Sequence, residues 1–406
     1  MLLRCMKVFL IFIVCGCHLL MADAQSWLTP WQARQSVSIW NYNVANFSDH
    51  QVRLEIPYHE CMDSTFADIR FTTADGTTLL DHWTMHTIPG EKAAVYVEVD
   101  LLPLYSQTTI YIYYANTAAA DASDPYATLV YYDELSSDVG WSDMGSPSID
   151  FNTLSDGTTV LTKEENCDNS GAWKSIGAEV STWKLLTRER RTTVSSGDDC
   201  YGHQYGIETP DFTGTGFYRD GIGYEGQAYT GLDLRDMGEV AEQILDEVTA
   251  FGTEWYYTEV SHCDICLFNL NAIIWNSAME PINSVYHYNY NMLVFDRFTI
   301  RGGSPYEVDF IAVANKSCIE PMPTFGVVET CPEVVLVSHT PDECETGEGE
   351  ITIAIDAGTV PYEVCWYMNG DSLGSLILSQ SDTITLDSLV LGTYTITVKD
   401  SIGCER

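Results

Sequence analysis

The sequence predicts an all-β protein built as three consecutive β-sandwich domains, and three observations carry that expectation. Short runs alternating apolar and polar residues recur along the chain, the period-two signature of strands buried on one face. Turn dipeptides such as Asp75-Gly76 and Pro89-Gly90 separate these runs. Helical spacing is confined to residues 239–248, where Val240, Ile244, Leu245 and Val248 share one side.

At roughly 150 residues per domain, 406 residues suggest two to three domains. Apolar residues make up 45% and charged residues 19%, a balance that folds rather than stays disordered. The 19 basic residues face 58 acidic ones, a net charge of -39. That sign excludes phosphate-tracking nucleic-acid binding and attraction to anionic lipid.

Residues 1–24 read as a secretory signal peptide. Arg4 and Lys7 precede the apolar stretch 8–21, and Ala22-Asp23-Ala24 fits small-x-small cleavage before Gln25. Val14-Cys15-Gly16-Cys17 offers a second reading, a degenerate lipidation site at Cys17. Either way the chain is expected to be exported, secreted or held at the outer cell surface. No later run of 18 apolar residues follows.

Residues 25–125 form the first expected domain. Val52, Leu54 and Ile56 alternate with Gln51, Arg53 and Glu55, and Val95, Val97 and Val99 alternate with Tyr96, Glu98 and Asp100, as in half-buried strands. Residues 115–125, small and polar, read as a linker. Residues 126–330 are strand-rich with aromatic runs at 254–260 and 285–298, which fits a jelly-roll sandwich. From 331 to 406 a third set of strands, including Tyr394, Ile396 and Val398 on one face, makes an immunoglobulin-like sandwich the expectation. Ending two residues past Cys404, the chain reads as a piece of a longer protein.

Of 13 cysteines, three lie in the leader. The others, Cys61, Cys167, Cys200, Cys263, Cys266, Cys318, Cys331, Cys344, Cys365 and Cys404, are an even set in an exported chain and thus disulfide candidates of unassigned connectivity.

Five constellations invite chemistry. Glu307 and Asp309 co-project from a strand, but a retaining glycosidase needs a proton donor as well, and Ala312 stands where it would be. A closing strand with Val308, Phe310 and Ala312 packed inward is the structural alternative. His82 and His86 lie in strand sequence, about 13 Å apart, too far for one metal. The Cys263/Cys266 pair lacks the context of a redox or zinc motif and reads as disulfide-forming. Asp198-Asp199 is a candidate calcium loop without the ligand density of an EF-hand, so no cofactor is expected. The fifth pattern is aromatic. Trp255, Tyr257 and Glu259 share one strand face, as do His287, Asn289 and Asn291, and rings flanked by amides and carboxylates are how β-sandwich lectins hold sugars. Ordinary solvent-facing strands look the same.

Resemblances sharpen these readings. Trp31-Gln32-Ala33-Arg34, Asp68-Ile69-Arg70-Phe71-Thr72 with Asp75-Gly76-Thr77, and Tyr111-Ile112-Tyr113-Tyr114-Ala115-Asn116 resemble domain of unknown function family 2341, found in exported and surface proteins. That family usually has glycine where this chain has Ala115. Residues 306–313 followed by Glu320-Pro321 look like the closing strand of a concanavalin A-like lectin/glucanase sandwich, and 307–312 nearly spell the carboxylate strand of laminarinase-like hydrolases. Residues 349–355, 361–366, 392–394 and 400–404 resemble the SprB-type repeat of gliding and adhesion proteins. Together they imply a non-catalytic, adhesin-type surface protein whose middle sandwich binds extracellular glycans or other surface proteins, with self-association as a further option. A stalk or filament subunit and a concanavalin-like hydrolase are the alternatives.

Overall fold

A computed structural model describes residues 27–145, 149–163, 171–180, 182–192, 203–208, 214–222, 228–236, 240–241, 253–263, 268–288, 295–302, 306–342 and 347–406. The N-terminal strands are β1 (Ala33–Asn41), β2 (Phe47–Pro57), β3 (Arg70–Thr72), β4 (Leu79–Leu80), β5 (His82–Ile88), β6 (Lys92–Leu102) and β7 (Ser106–Tyr114). A one-turn helix, α1 (Pro125–Thr128), leads to β8 (Tyr131–Asp133), β9 (Trp141–Met144), β10 (Ile149–Thr153), β11 (Thr159–Lys163), β12 (Gly171–Val180) and β13 (Trp183–Arg191). Then come β14 (His203–Glu208), β15 (Gly214–Ile222), β16 (Ala228–Asp236), β17 (Val240–Ala241), β18 (Tyr256–His262), β19 (Phe268–Trp275), β20 (Pro281–Tyr288), β21 (Phe295–Gly302), β22 (Tyr306–Asn315) and β23 (Met322–Thr330). The C-terminal strands are β24 (Glu333–Thr340), β25 (Gly349–Asp356), β26 (Tyr362–Met368), β27 (Asp371–Leu378), β28 (Asp382–Leu389) and β29 (Tyr394–Lys399).

The chain is mostly β, with antiparallel sheets throughout. Thr29–Ala74 and Thr78–Val328 form one compact unit, and Glu329–Arg406 belong to a second. Most of both domains predicted upstream of residue 330 falls within the first of these units. Within the first unit a five-stranded sheet (β23-β1-β7-β3-β4) packs on a three-stranded one (β2-β6-β5) around Val37, Ile39, Val52, Leu54, Val95, Val97, Ile110 and Ile112. An eight-stranded sheet holding β13, β18 and β22 packs on a seven-stranded sheet around Trp183, Leu185, Val260, Phe298, Ile300, Val308 and Ile311.

A third core joins the two pairs. Trp83, Met85, Ala94 and Tyr96 of β5 and β6 pack on Leu186, Tyr257, Trp275, Phe310, Ala312 and Ala314 of the eight-stranded sheet. The β2-β6-β5 sheet is thus covered on both faces. This corrects the half-buried reading of β6: Tyr96 is buried as completely as Val95, and the uninterrupted apolar run 93–97 is the sequence mark of a two-sided strand. The predicted linker is also fixed in place. Ser123 Oγ accepts from the Thr84 amide at 2.9 Å, Arg70 donates to the Ala120 carbonyl, and Asp124 caps α1 through the amides of Tyr126 and Ala127.

Of the predicted helix at 239–248, Val240–Ala241 is instead a strand paired with β16; tertiary pairing overrides a weak local period. The rest lies outside the described residues. In the C-terminal unit two three-stranded sheets enclose Ile353, Ile355, Tyr362, Val364 and Val398. Cys331 and Cys404 are disulfide-bonded across a separation of 73 residues.

Candidate functional site

The outer face of the eight-stranded sheet, where β13, β18 and β22 lie side by side, carries the charged and aromatic residues singled out above. A β-bulge decides which side chains reach it. Arg188 pairs with Phe310 but Glu189 pairs with Val308, so Asp309 is the extra residue. The bulge shifts the alternation: Val308 enters the sandwich core, whereas Phe310 and Ala312 point the other way, into the contact with the N-terminal domain. The expectation that Val308, Phe310 and Ala312 pack on one inward face is corrected accordingly.

Glu307 and Asp309 both meet arginines of β13. Arg190 Nε donates to Glu307 Oε2 and Arg188 Nη1 to Asp309 Oδ2, each at 2.6 Å. Half-buried Trp255, just ahead of β18, lies under both guanidiniums, 4.5 Å from Arg188 and 4.7 Å from Arg190, within cation–π range. Tyr257 and Glu259 share its side of the strand but are 3% and 8% exposed, because the N-terminal domain lies over them. The predicted open ligand face is to that extent a domain contact, and only its Trp255 end is accessible.

His86 of β5 completes the contact. Tyr257 Oη donates to His86 Nδ1 at 2.6 Å, and His86 Nε2 lies 2.9 Å from the Ser277 carbonyl. Burial lowers the His86 pKa, with Arg188 acting in the same direction. Burial likewise pushes the Tyr257 hydroxyl up to about 12. Beside this pair opens a cleft of about 430 Å³, lined by Thr65, Phe66, Thr84, Met85, His86, Thr87, Asp121, Arg188 and Tyr257. The lining includes threonine hydroxyls, one carboxylate and one guanidinium, with Phe66, Met85 and Tyr257 almost wholly buried behind them.

The other predicted residues fall as follows. His287 lies in β20 opposite Leu270; its side chain, and all of Asn289 and Asn291, are outside the described residues. So are residues 1–24, Asp198, Asp199, Cys167, Cys200, Cys266 and Cys344. Cys263 faces Cys318, a distant partner, with sulfurs 3.2 Å apart. Cys61 and Cys365 are free thiols, correcting their place among the disulfide candidates. Cys365 has Ser375 and Thr397 opposite it in the sheet. Among the described residues no His, Cys, Asp and Glu group forms a metal site, and no helix is long and apolar enough to cross a membrane.

Residues 65–143 match the family model described as domain of unknown function (DUF2341), in agreement with the resemblance read from the N-terminal motifs. Comparison with curated proteins finds no match. Among solved structures the chain is similar to peanut lectin with a 9mer peptide, at 10% identity over 48% of this chain and 97% of that one, with a TM-score of 0.34. The Ca²⁺-bound VIP36 exoplasmic/lumenal domain gives 9% identity over 46% and 90% with a TM-score of 0.35. The Emp47p carbohydrate recognition domain gives 13% over 46% and 96% with a TM-score of 0.32.

Sequence reasoning missed Arg188, Arg190 and Asp121. Three arginines within residues 188–191 of a chain with only 19 basic residues were the available signal for the first two. Asp121 carried none, since only the docking of residues 115–125 brings it to the cleft.

Proposed function

We propose that this is a non-catalytic, exported surface protein that binds extracellular glycans at the cleft between its N-terminal domain and the eight-stranded sheet. The cleft carries this reading: about 430 Å³ lies in the size range of small-ligand sites, and its threonine hydroxyls, Asp121 and Arg188 can bond sugar hydroxyls. Support for a non-catalytic role comes from Glu307 and Asp309. Each is held by an arginine, and buried Ala312 leaves the strand without a proton donor. The leader and the Cys331–Cys404 bond support export. The SprB-like C-terminal unit supports an adhesin role.

A glycan array probed with the full chain and with Arg188→Ala tests the reading. Binding that is lost in the folded variant supports it; binding indifferent to Arg188, or none at all, removes the cleft as the site. Turnover of a β-glucan, abolished by Glu307→Gln, would favour the hydrolase. One observation favours a stalk or filament role: edge strand β24 exposes Val335, Leu336 and Val337 by 50 to 58%, and unpaired apolar edges invite strand addition. Concentration-dependent assembly in light scattering would favour it.

A further inference from the structure

The outward side of the five-stranded sheet lies apart from the cleft and has a different chemistry. Its inner side is core, with Val37, Ile39, Ile110, Ile112 and Phe325 packed inward. Alternation therefore turns Ser36, Ser38 and Trp40 of β1 outward. Register sets Trp40 opposite Gln107 and Ser38 opposite Thr109, while Thr324 of β23 reaches the Ser38 carbonyl from the other flank. The close seating of β23 on β1 explains Gly326, since a Cβ there would fall 2.2 Å from Ser36 Oγ.

Among the described residues this end of the sheet carries hydroxyls, an amide and an exposed indole, and the charged group on the same side of β1, Arg34, is fully buried against Tyr111. Trp40 is 39% exposed and Tyr42 44%. Their rings stack at 5.9 Å with a 16° interplanar angle. Gln107 Nε2 donates to Ser38 Oγ at 2.6 Å, holding the amide flat along the sheet with its carbonyl available as an acceptor. A ring presenting an apolar face beside neutral donors and acceptors, in rows about 4.8 Å apart on neighbouring strands, matches the alternating C–H faces and hydroxyl edges of an uncharged sugar chain. An anionic polymer would find no cation here and would meet the repulsion of the acidic protein.

From these features we infer a second binding face, on β1, β7 and β23 of the N-terminal domain, that takes a neutral polysaccharide with Trp40 as its stacking platform. It is independent of the cleft and of the glycan reading made there.

Affinity electrophoresis of the full chain through gels containing a β-glucan, a xyloglucan, a galactomannan or alginate tests it. At least one neutral polymer should retard the protein equally at low and high salt, because no ion pair is involved. Trp40→Ala should weaken that retardation roughly tenfold, the scale of one stacked ring. Trp40→Phe should keep most of it, and Thr324→Arg, which throws a long side chain over an intact Trp40, should reduce it. Trp40→Ala should cause the same loss in an Arg188→Ala background, where the cleft no longer contributes. Failure of every neutral polymer to retard the protein, retardation by alginate alone, or wild-type retardation of Trp40→Ala would overturn the proposal. Retardation lost in Arg188→Ala but kept in Trp40→Ala would overturn it while sparing the cleft.

Discussion

Tyr257 and His86 join two sheets through a single short hydrogen bond, 2.6 Å from the phenol oxygen to Nδ1. The other ring nitrogen faces the Ser277 carbonyl at 2.9 Å, so partner chemistry assigns the proton to Nε2 and leaves Nδ1 as the acceptor. Burial favours the neutral imidazole, in which Nδ1 is the acceptor. The pair sits at the margin of the Trp83/Phe310 contact, where the rings meet edge to face at 5.1 Å.

Removing the hydroxyl separates the hydrogen bond from the packing. Tyr257→Phe keeps the ring but strands Nδ1 in a half-buried site, and should cost about 1 to 2 kcal/mol. Trp83→Ala should cost more, about 3 to 5 kcal/mol, by opening a cavity between the sheets. Urea denaturation of the full chain measures both. A Tyr257→Phe midpoint equal to wild type would show that the bond adds nothing to the contact.

Ala115 is strained in a way its sequence already hinted at. Its φ is 64°, in the left-handed region where an L side chain costs about 1 kcal/mol. Asp68 holds it there by accepting from the amides of Ala115 and Asn116 at 2.8 and 3.2 Å. Ala115→Gly should therefore raise stability by up to about 1 kcal/mol, less the small contact its methyl makes. A destabilised glycine variant would mean that the methyl packing outweighs the strain.

The strands themselves were legible because alternation reports burial on one face. Val52, Leu54 and Ile56 sit in the core as their spacing implies, and the turns at Gly76 and Gly90 have φ of 80° and 72°. What one strand's pattern does not report is the partner on its second face. Tyr257 and Glu259 looked like a ligand surface because a residue buried against another domain and one facing a sugar follow the same period. The bulge at Asp309 was equally silent: one extra residue inverted the facing of Phe310 and Ala312 without changing residue type. The cleft depended on both, together with a linker whose docking rests on hydrogen bonds such as Ser123 to Thr84.

The C-terminal unit depends on a long-range covalent tie. Cys331 and Cys404 enclose most of it, and loop-closure entropy for such a separation is about 4 kcal/mol. Cys331→Ser/Cys404→Ser should lower the melting transition of residues 329–406 while leaving that of the first unit in place. Differential scanning calorimetry resolves the two; a matched fall in both transitions would contradict independent units.

Acid should weaken the first unit before its carboxylates titrate. Burial lowers the pKa values of His50 and His82 from 6.5 to about 4, with Lys184 adding to the effect at His50 and Arg70 at His82. Nε2 of each is buried without a hydrogen-bond partner, so neither ring gains anything by charging in place. Because the native values lie below the unfolded ones, the unfolded chain takes up these protons first as pH falls. Stability is then complete above about pH 6.5 and drains away toward pH 4, by at most about 3 kcal/mol per histidine. Glu320 acts in a lower window. Burial alone would raise its pKa, but Lys184 and Lys316 outweigh that and hold it at about 2, so its contribution is full above pH 4.5 and is lost below it. A melting curve taken at successive pH values should fall between 6.5 and 4 in the wild type and flatten there in His50→Phe/His82→Phe, whose phenyl rings can keep the contacts with Phe47 and Phe71. An equally steep fall in the double variant would place the acid sensitivity elsewhere.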